Sequence, residues 1–353
     1  FPQNEKFVEK CGKNYGTKPE YTLSNGAYTM TKWIKGNKAT FTKNDKYYDA
    51  KAVKTKNLEM FLVQDPKTAA QNFDNGKVDY ATINSTLVDK YKGKDTFTTF
   101  NEGFLFYLQV NFNNKTTANK NVREALSYAI NRKDLCENVL KDGSKEGTGF
   151  VPSQLSTSPA GKDFRDDADK YVSYDQKKAQ EYLDAAKKEL GTDTITIDLL
   201  YGTDESPMDT MAEYLQGSFS KLKGLKVNMV ATVKKDRIYN REANGNFQVV
   251  CTRWGPDYAD PTTYLNLFLT GNQNNYGKYS NAKVDSLMKQ VQAESDLNKR
   301  WDLMTQVEKT ALDDLAYIPV FEKGAAALKA KNVKGLVHSA VGVPYTFKYV
   351  TIK

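Results

Sequence analysis

The chain has 353 residues and a mass of 39.8 kDa, more than one average domain, so at least two folding units are expected. With 39% apolar and 12% aromatic residues it can bury ordinary cores, which excludes a disordered regulator and a fibrous repeat. The net charge is +8, yet only seven of the 51 basic residues are arginine, so a Lys-rich solvated surface explains it better than the arginine forks used to read nucleic acid.

Taken in chain order, residues 1–103 read as mixed structure with short strands. Asn25-Gly26 marks a turn before an alternating segment, and Lys35-Gly36-Asn37-Lys38 a hairpin into Ala39–Lys43. Leu58–Val63 reads as a buried strand, Asp65-Pro66 opens a helix that Asn75-Gly76 ends, and Val78–Ala81 is a further strand. Phe104–Asn111 is strongly β-prone, and a helix follows with Val122, Leu126, Ala129, Ile130 and Val139 on one stripe. Residues 141–172, rich in Gly, Ser, Thr and Asp, read as a long surface loop, after which Ser173 and Gln176 make a capping box.

Thr194–Tyr201, a helix opened by Ser206-Pro207, and Val227–Ala231 form a βαβ crossover with a parallel pair. Phe247–Cys251 supplies a third strand, amphipathic helices follow near 281–293 and 296–315, and Tyr317–Phe321 closes with a short strand. Composition shifts near 103 and 325 divide the chain into 1–103, 104–325 and 326–353. The class is α/β.

Most enzyme chemistry lacks its residues. The single histidine, His338, reads as a loop or edge-strand residue, and Cys11, Cys136 and Cys251 stand too far apart for a metal knuckle and read as buried thiols. No phosphate-binding glycine loop and no nucleophile elbow occurs, and Asp313-Asp314 reads as solvated surface. The chain is therefore expected to be no enzyme and to use no cofactor or metal.

The informative stretch is Arg253-Trp254-Gly255-Pro256-Asp257-Tyr258-Ala259-Asp260-Pro261. It follows a strand, where ligand sites in α/β lobes gather. Trp254 and Tyr258 can wall off water, Gly255 permits close backbone approach, and Asp257 in a low-dielectric cleft would need a cation, such as a ligand ammonium. The residues alone leave equally open a loop in which Asp257 caps the next segment and Trp254 fills core. Tyr107 and Asn111 offer a second candidate surface, with a plain strand at least as good a reading.

Taken together, several motifs resemble those of the extracellular solute-binding proteins of peptide ABC transporters (family 5), above all the oligopeptide-binding proteins. They are Leu23–Tyr28 with Trp33, Asn44–Ala50, Asn121–Arg132, Trp254–Pro261 and Ile318-Pro319-Val320, in the family's order. The resemblance implies a bilobal periplasmic-binding-protein-like fold of class II that closes on an oligopeptide and delivers it to a membrane permease. It implies that Asp257 receives the peptide ammonium, that Trp254 shapes a side-chain pocket, and that the strand around Tyr107–Asn111 lends contacts. Arg253 is a further candidate, by proximity, for a ligand carboxylate. A monomer on the extracellular face of the envelope, lipid-anchored in the full-length protein and without nucleic-acid partner, is expected. The same fold with another solute (nickel, haem or oligosaccharide) or as a peptide-signal sensor is the alternative. Family members are longer, so the chain reads as incomplete at the N-terminus. Residues 1–103 would be the latter part of lobe one, 104–325 lobe two, and 326–353 the segment returning to lobe one. Peptide binding by the chain alone is expected to be weak or absent.

Overall fold

A computed structural model describes residues 3–353; Phe1 and Pro2, on which the reading of the chain's start falls, lie outside the described residues. The chain divides into two compact units. The first runs to Thr99 and also holds Ala326–Ser339 and Val343–Lys353; the second holds Phe100–Ala325 and Ala340–Gly342.

In the first unit, β1 (Tyr28–Ile34), β2 (Lys38–Lys43) and β3 (Asn57–Phe61) form an antiparallel sheet in that order. The β1–β2 turn places Gly36 at φ +71°, a conformation that favours glycine. Asn44 explains two motifs at once: its amide donates to the Gly26 carbonyl at 2.9 Å and its backbone N–H to Ala27 at 2.9 Å, tying the strand entry to the following loop. β3 was expected to be buried, but Glu59, Met60 and Phe61 are exposed, because it lies at a sheet edge. The helix Pro66–Asp74 starts as the sequence predicts, with Asp65 accepting from the N–H groups of Lys67 and Thr68. β4 (Tyr80–Ile83) begins two residues later than the sequence suggests and pairs antiparallel with Ala326–Lys329. Its small core comprises Ala70, Ile83, Val88, Tyr91, Ala326 and Leu328. His338 sits in a two-residue ladder, its Nε2 3.3 Å from the Tyr80 hydroxyl.

The second unit is built on β6 (Lys145–Glu146), β7 (Ile195–Gly202), β8 (Leu225–Thr232), β9 (Val249–Trp254) and the greater parts of β5 (Phe97–Val110) and β10 (Tyr317–Lys329), whose residues before Phe100 and after Ala325 belong to the first unit. The order is β10-β5-β9-β7-β8, with β6 along β10. β7 runs parallel to both β8 and β9, and β5 antiparallel to β9. The expected crossover is present, with helix Met208–Phe219 between β7 and β8. Alternation along β5 sorts Phe106, Leu108 and Val110 into one apolar core and Leu105 and Tyr107 into another, as the period of two requires.

Two arginines of the Asn121–Arg132 motif act as internal staples. Arg123 donates to the carbonyls of Thr117, Ala118 and Asp314, and Arg132 to those of Ser127, Ile130 and Pro319. The Pro319 carbonyl belongs to another motif, so the two are physically one. Burial lowers Arg132 to about 9. All three cysteines are free and buried, and burial pushes the Cys136 and Cys251 thiols far up, which makes them unreactive.

Four sequence expectations need correction. The stripe expected through Val139 is interrupted: the helix Lys120–Ala129 ends before a separate wide turn, Leu135–Leu140. The helix Gln176–Leu190 is capped by Asp175, not Ser173, since Asp175 accepts the N–H groups of Lys177 and Lys178. Residues 141–172 are largely irregular but not all surface: Phe150, Val151, Leu155 and Phe164 are buried. That segment is fastened by the fully buried Glu308, which accepts from the N–H groups of Phe150 and Val151 and from Arg165. Its composition reports irregular backbone rather than exposure. Asp314 is likewise half-buried, accepting from Tyr279 and Asn281 at 2.8 Å each.

Candidate functional site

β7, β8 and β9 are parallel, so their carboxyl ends lie along one edge of the sheet, the edge where α/β folds place ligands. The loop 255–261 leaves that edge after β9 and enters the short helix Thr262–Leu265.

One carboxylate holds this loop and another is left over. Asp260 accepts both terminal nitrogens of Arg300, at 2.7 and 3.0 Å, together with the N–H and hydroxyl of Thr262. Burial acts to raise its pKa, but Arg300 and Thr262 bring it below the ordinary value. The side-chain bond to the first N–H of the following helix is thus made by Asp260, not by Asp257. Asp257 is fixed through its backbone, whose N–H donates to the Thr263 hydroxyl at 3.0 Å. Its side chain is exposed, not enclosed in a low-dielectric cleft, and among the described residues its carboxylate has no hydrogen bond or ion pair.

The other candidates divide. Trp254 is half-buried, and its indole N–H is buried without an acceptor among the described residues; its carbonyl lies 3.2 Å from the Tyr264 hydroxyl. Tyr258 is 45% exposed, with its hydroxyl held by Thr262 and Asn266. Gly255 permits a close approach, but by protein: an added Cβ would lie 2.3 Å from the Phe104 ring. Arg253 stacks on that same ring at 4.4 Å. Of the second candidate surface, Tyr107 is buried but lines a cavity with Arg253 and Trp254, whereas Asn111 does not. Tyr107 packs edge-on against Phe150 and Tyr317, and the Asn111 amide donates to the Gly245 and Phe247 carbonyls, a structural role.

Sequence reasoning missed Phe104, Glu205, Lys234, Arg237 and Glu242, which line a cavity of about 320 Å³ with Arg253 and Trp254. Each charged member stands at or just past a strand end: Glu205 follows the end of β7, Lys234 the end of β8, and Arg253 lies at the end of β9. Among the described residues no group of three His, Cys, Asp or Glu side chains could hold a metal ion, and no helix is long and apolar enough to cross a membrane.

Comparison with known proteins identifies the family. The family described as bacterial extracellular solute-binding proteins, family 5, matches residues 1–276. A dipeptide-binding protein of Lactococcus lactis is 32% identical over 100% of this chain and 67% of its own length. The oligopeptide-binding protein OppA of Bacillus subtilis is 28% identical, over 98% of this chain and 64% of its own. Among solved structures, the substrate-binding domain of an oligopeptide ABC transporter from Bacillus anthracis superposes with a TM-score of 0.80 at 31% identity, covering 99% of this chain and 69% of that one. Peptide-bound OppA of Listeria monocytogenes gives 0.80 at 32%, covering 100% and 69%. The chain thus spans about two thirds of the length of these relatives. It belongs to the bacterial extracellular solute-binding proteins of family 5.

Proposed function

We propose that this chain is part of the receptor component of an ABC importer, which captures oligopeptides and hands them to a membrane permease. The observation that carries the reading is Asp257: a carboxylate on a loop pinned by Asp260, Arg300 and Thr263, exposed at the carboxyl ends of the parallel strands, with no protein partner among the described residues. A peptide α-ammonium is the group such a carboxylate takes, in a charge-assisted bond of about 1.5–3 kcal/mol net. Peptide held chiefly by its backbone and this end group is bound with little regard to sequence. The dipeptide-binding protein of Lactococcus and the OppA proteins of Bacillus and Listeria support a peptide as ligand.

We read the second unit as lobe two, and the first as the latter part of lobe one joined by the returning C-terminal segment. The receptor works as a monomer on the extracellular face of the envelope, held by a lipid anchor.

The test is a thermal or calorimetric titration of the chain with tri- to pentapeptides carried to high concentration, since stabilisation grows only as the ligand exceeds its dissociation constant. Free-amine peptides should stabilise the chain. N-acetylation of the peptide, or Asp257→Asn, should weaken binding by about ten- to a hundred-fold. Equal binding of acetylated and free peptides would remove Asp257 from the role, and no stabilisation by any peptide, either of this chain or of one extended at its N-terminus to the length of its relatives, would overturn the substrate class.

A further inference from the structure

Residues 44–56 of the first unit carry a motif that the candidate site leaves without a role. They fold as a run of turns: the N–H of Tyr47 donates to the Asn44 carbonyl, Ala50 to Tyr47, Ala52 to Asp49 and Val53 to Ala50, with Val53 buried. The C-terminal segment of the same unit is stitched to that run. Thr55 donates its hydroxyl to the Val350 carbonyl at 2.7 Å, the Tyr28 hydroxyl reaches the carbonyls of Thr55 and Phe347 at 3.2 and 3.4 Å, and Lys348 pairs with Asp49 at 2.6 Å.

This frame holds two tyrosines in water. Tyr48 is 87% exposed and Tyr349 51%. Lys348 Nζ lies 5.6 and 4.9 Å from their ring centroids and 5.5 Å from that of Tyr47, and the Tyr47 and Tyr48 rings are 4.6 Å apart. Two rings that share one ammonium stand on one patch. The charge around them is positive and is made by lysine. Lys46, Lys51, Lys54 and Lys56 are exposed; of the two carboxylates in 44–56, Asp49 is engaged by Lys348, which leaves Asp45 against four ammonium groups. The first unit contains no arginine, since all seven lie in the second.

That composition discriminates between partners. Protein interfaces enrich tyrosine together with arginine and deplete lysine, and nucleic acid is read by arginine forks. Tyrosine beside lysine suits the boundary of a bilayer: the amphipathic ring sits at headgroup level, ammonium groups meet anionic lipids, and the lysine stems lie along the apolar boundary. We propose that residues 44–56, with Lys348 and Tyr349, form a docking surface for an anionic lipid bilayer, Tyr48 and Tyr349 entering the headgroup layer and Lys46, Lys51 and Lys54 meeting the lipid phosphates. The lipid contact stands apart from the peptide-receptor reading; on that reading it keeps the receptor at the membrane that holds its permease.

The chain is sedimented with phosphatidylcholine vesicles and with mixed phosphatidylcholine and phosphatidylglycerol vesicles, at low and at high salt. Binding to the anionic vesicles, falling as salt rises, and little binding to the neutral ones are expected. A lysine near an anionic leaflet changes partitioning about five-fold, so Lys46→Gln, Lys51→Gln and Lys54→Gln together should weaken binding about a hundred-fold. Tyr48→Ser should weaken it at every salt concentration. Lys177→Gln, Lys188→Gln and Lys289→Gln, at exposed lysines of the second unit, change the net charge equally and should weaken it by less than about two-fold, because charges beyond a Debye length are screened. Every substituted side chain except that of the buried frame is exposed, and urea unfolding checks that each variant is folded. Equal binding to neutral and anionic vesicles, binding to neither, or equal losses in the two triple variants overturns the proposal. Poly-glutamate that binds as tightly as the anionic vesicles, with the same loss in the first triple variant, overturns it in favour of an acidic protein partner. Vesicle binding that disappears when the chain is extended at its N-terminus to the length of its relatives overturns it too, because the patch is then covered. Peptide titration of the same variants reads the receptor function separately.

Discussion

Gly255→Ala tests whether the glycine of the Trp254–Pro261 loop is there for a ligand or for the protein. The backbone at Gly255 lies outside the left-handed region, so alanine brings no conformational strain. Its Cβ, however, would stand 2.3, 2.7 and 2.8 Å from three Phe104 ring carbons, where apolar atoms prefer about 3.5–4.0 Å. The ring must retreat by about 1 Å or more, in a region where overpacking costs about 1–3 kcal/mol. Retreat also disturbs the Arg253 stack at 4.4 Å, a contact of about 0.5–2 kcal/mol depending on its desolvation. A net loss of about 1.5–3 kcal/mol is expected, read by urea unfolding. Phe104→Ala removes the obstacle, so Gly255→Ala in that background should cost almost nothing or gain a few tenths through the stiffer unfolded chain. The double-mutant cycle then carries about 1–3 kcal/mol of coupling. An equal cost in both backgrounds would refute the assignment of Gly255 to Phe104.

Glu308→Gln should destabilise the second unit by about 3–5 kcal/mol, because it leaves the buried Arg165 without its counter-charge; urea unfolding measures it, and a loss below about 1 kcal/mol would contradict the fastening of residues 141–172. His338, the single histidine, gives one imidazole titration by proton NMR, and burial places its midpoint below 6.5. The stability it contributes is complete above that ordinary value and is lost as pH falls through the folded one; a midpoint at or above 6.5 would contradict this. Glu242 has the opposite sign. Its folded value of about 7 exceeds the ordinary 4.5, so its contribution is complete below 4.5 and lost as pH rises through about 7. Relative to the unmodified chain, Glu242→Gln should therefore fare better at about pH 8 than at about pH 5, and the reverse order in urea unfolding would refute it.

Legibility in the sequence followed the range of the interactions involved. The parallel pair β7–β8 was readable because alternation and a Pro-opened helix are local signals, and the Asp65-Pro66 start was readable for the same reason. The burial of Phe150 and Phe164 was not, since it depends on Glu308, more than a hundred positions away, accepting their segment's N–H groups. The cap at Asp175 was misassigned because Ser173 and Asp175 are both good caps and only the backbone decides between them. In the site, the loop announced itself through Trp254, Gly255 and Asp257 within four positions. Glu205, Lys234 and Arg253 lie on three strands' ends, and nothing local to any of them says that the other two are near.

The division of labour between Asp257 and Asp260 is the step from fold to function. A loop that presents a carboxylate to a ligand must be rigid without using that carboxylate for its own rigidity. Asp260 supplies the rigidity, by accepting a two-pronged Arg300 contact and capping Thr262, and the Thr263 hydroxyl fixes Asp257 through its backbone alone. On the proposed reading, the backbone that carries Asp257 is held in place before a ligand arrives, and binding need not order the loop, which is where recognition ordinarily loses affinity. Arg253 is placed in a comparable way: its Nε lies 3.5 Å from a Glu205 oxygen and its guanidinium 4.4 Å from the Phe104 ring. On that reading, two groups of opposite charge on one sheet edge suit a ligand that is itself a zwitterion, as a peptide is.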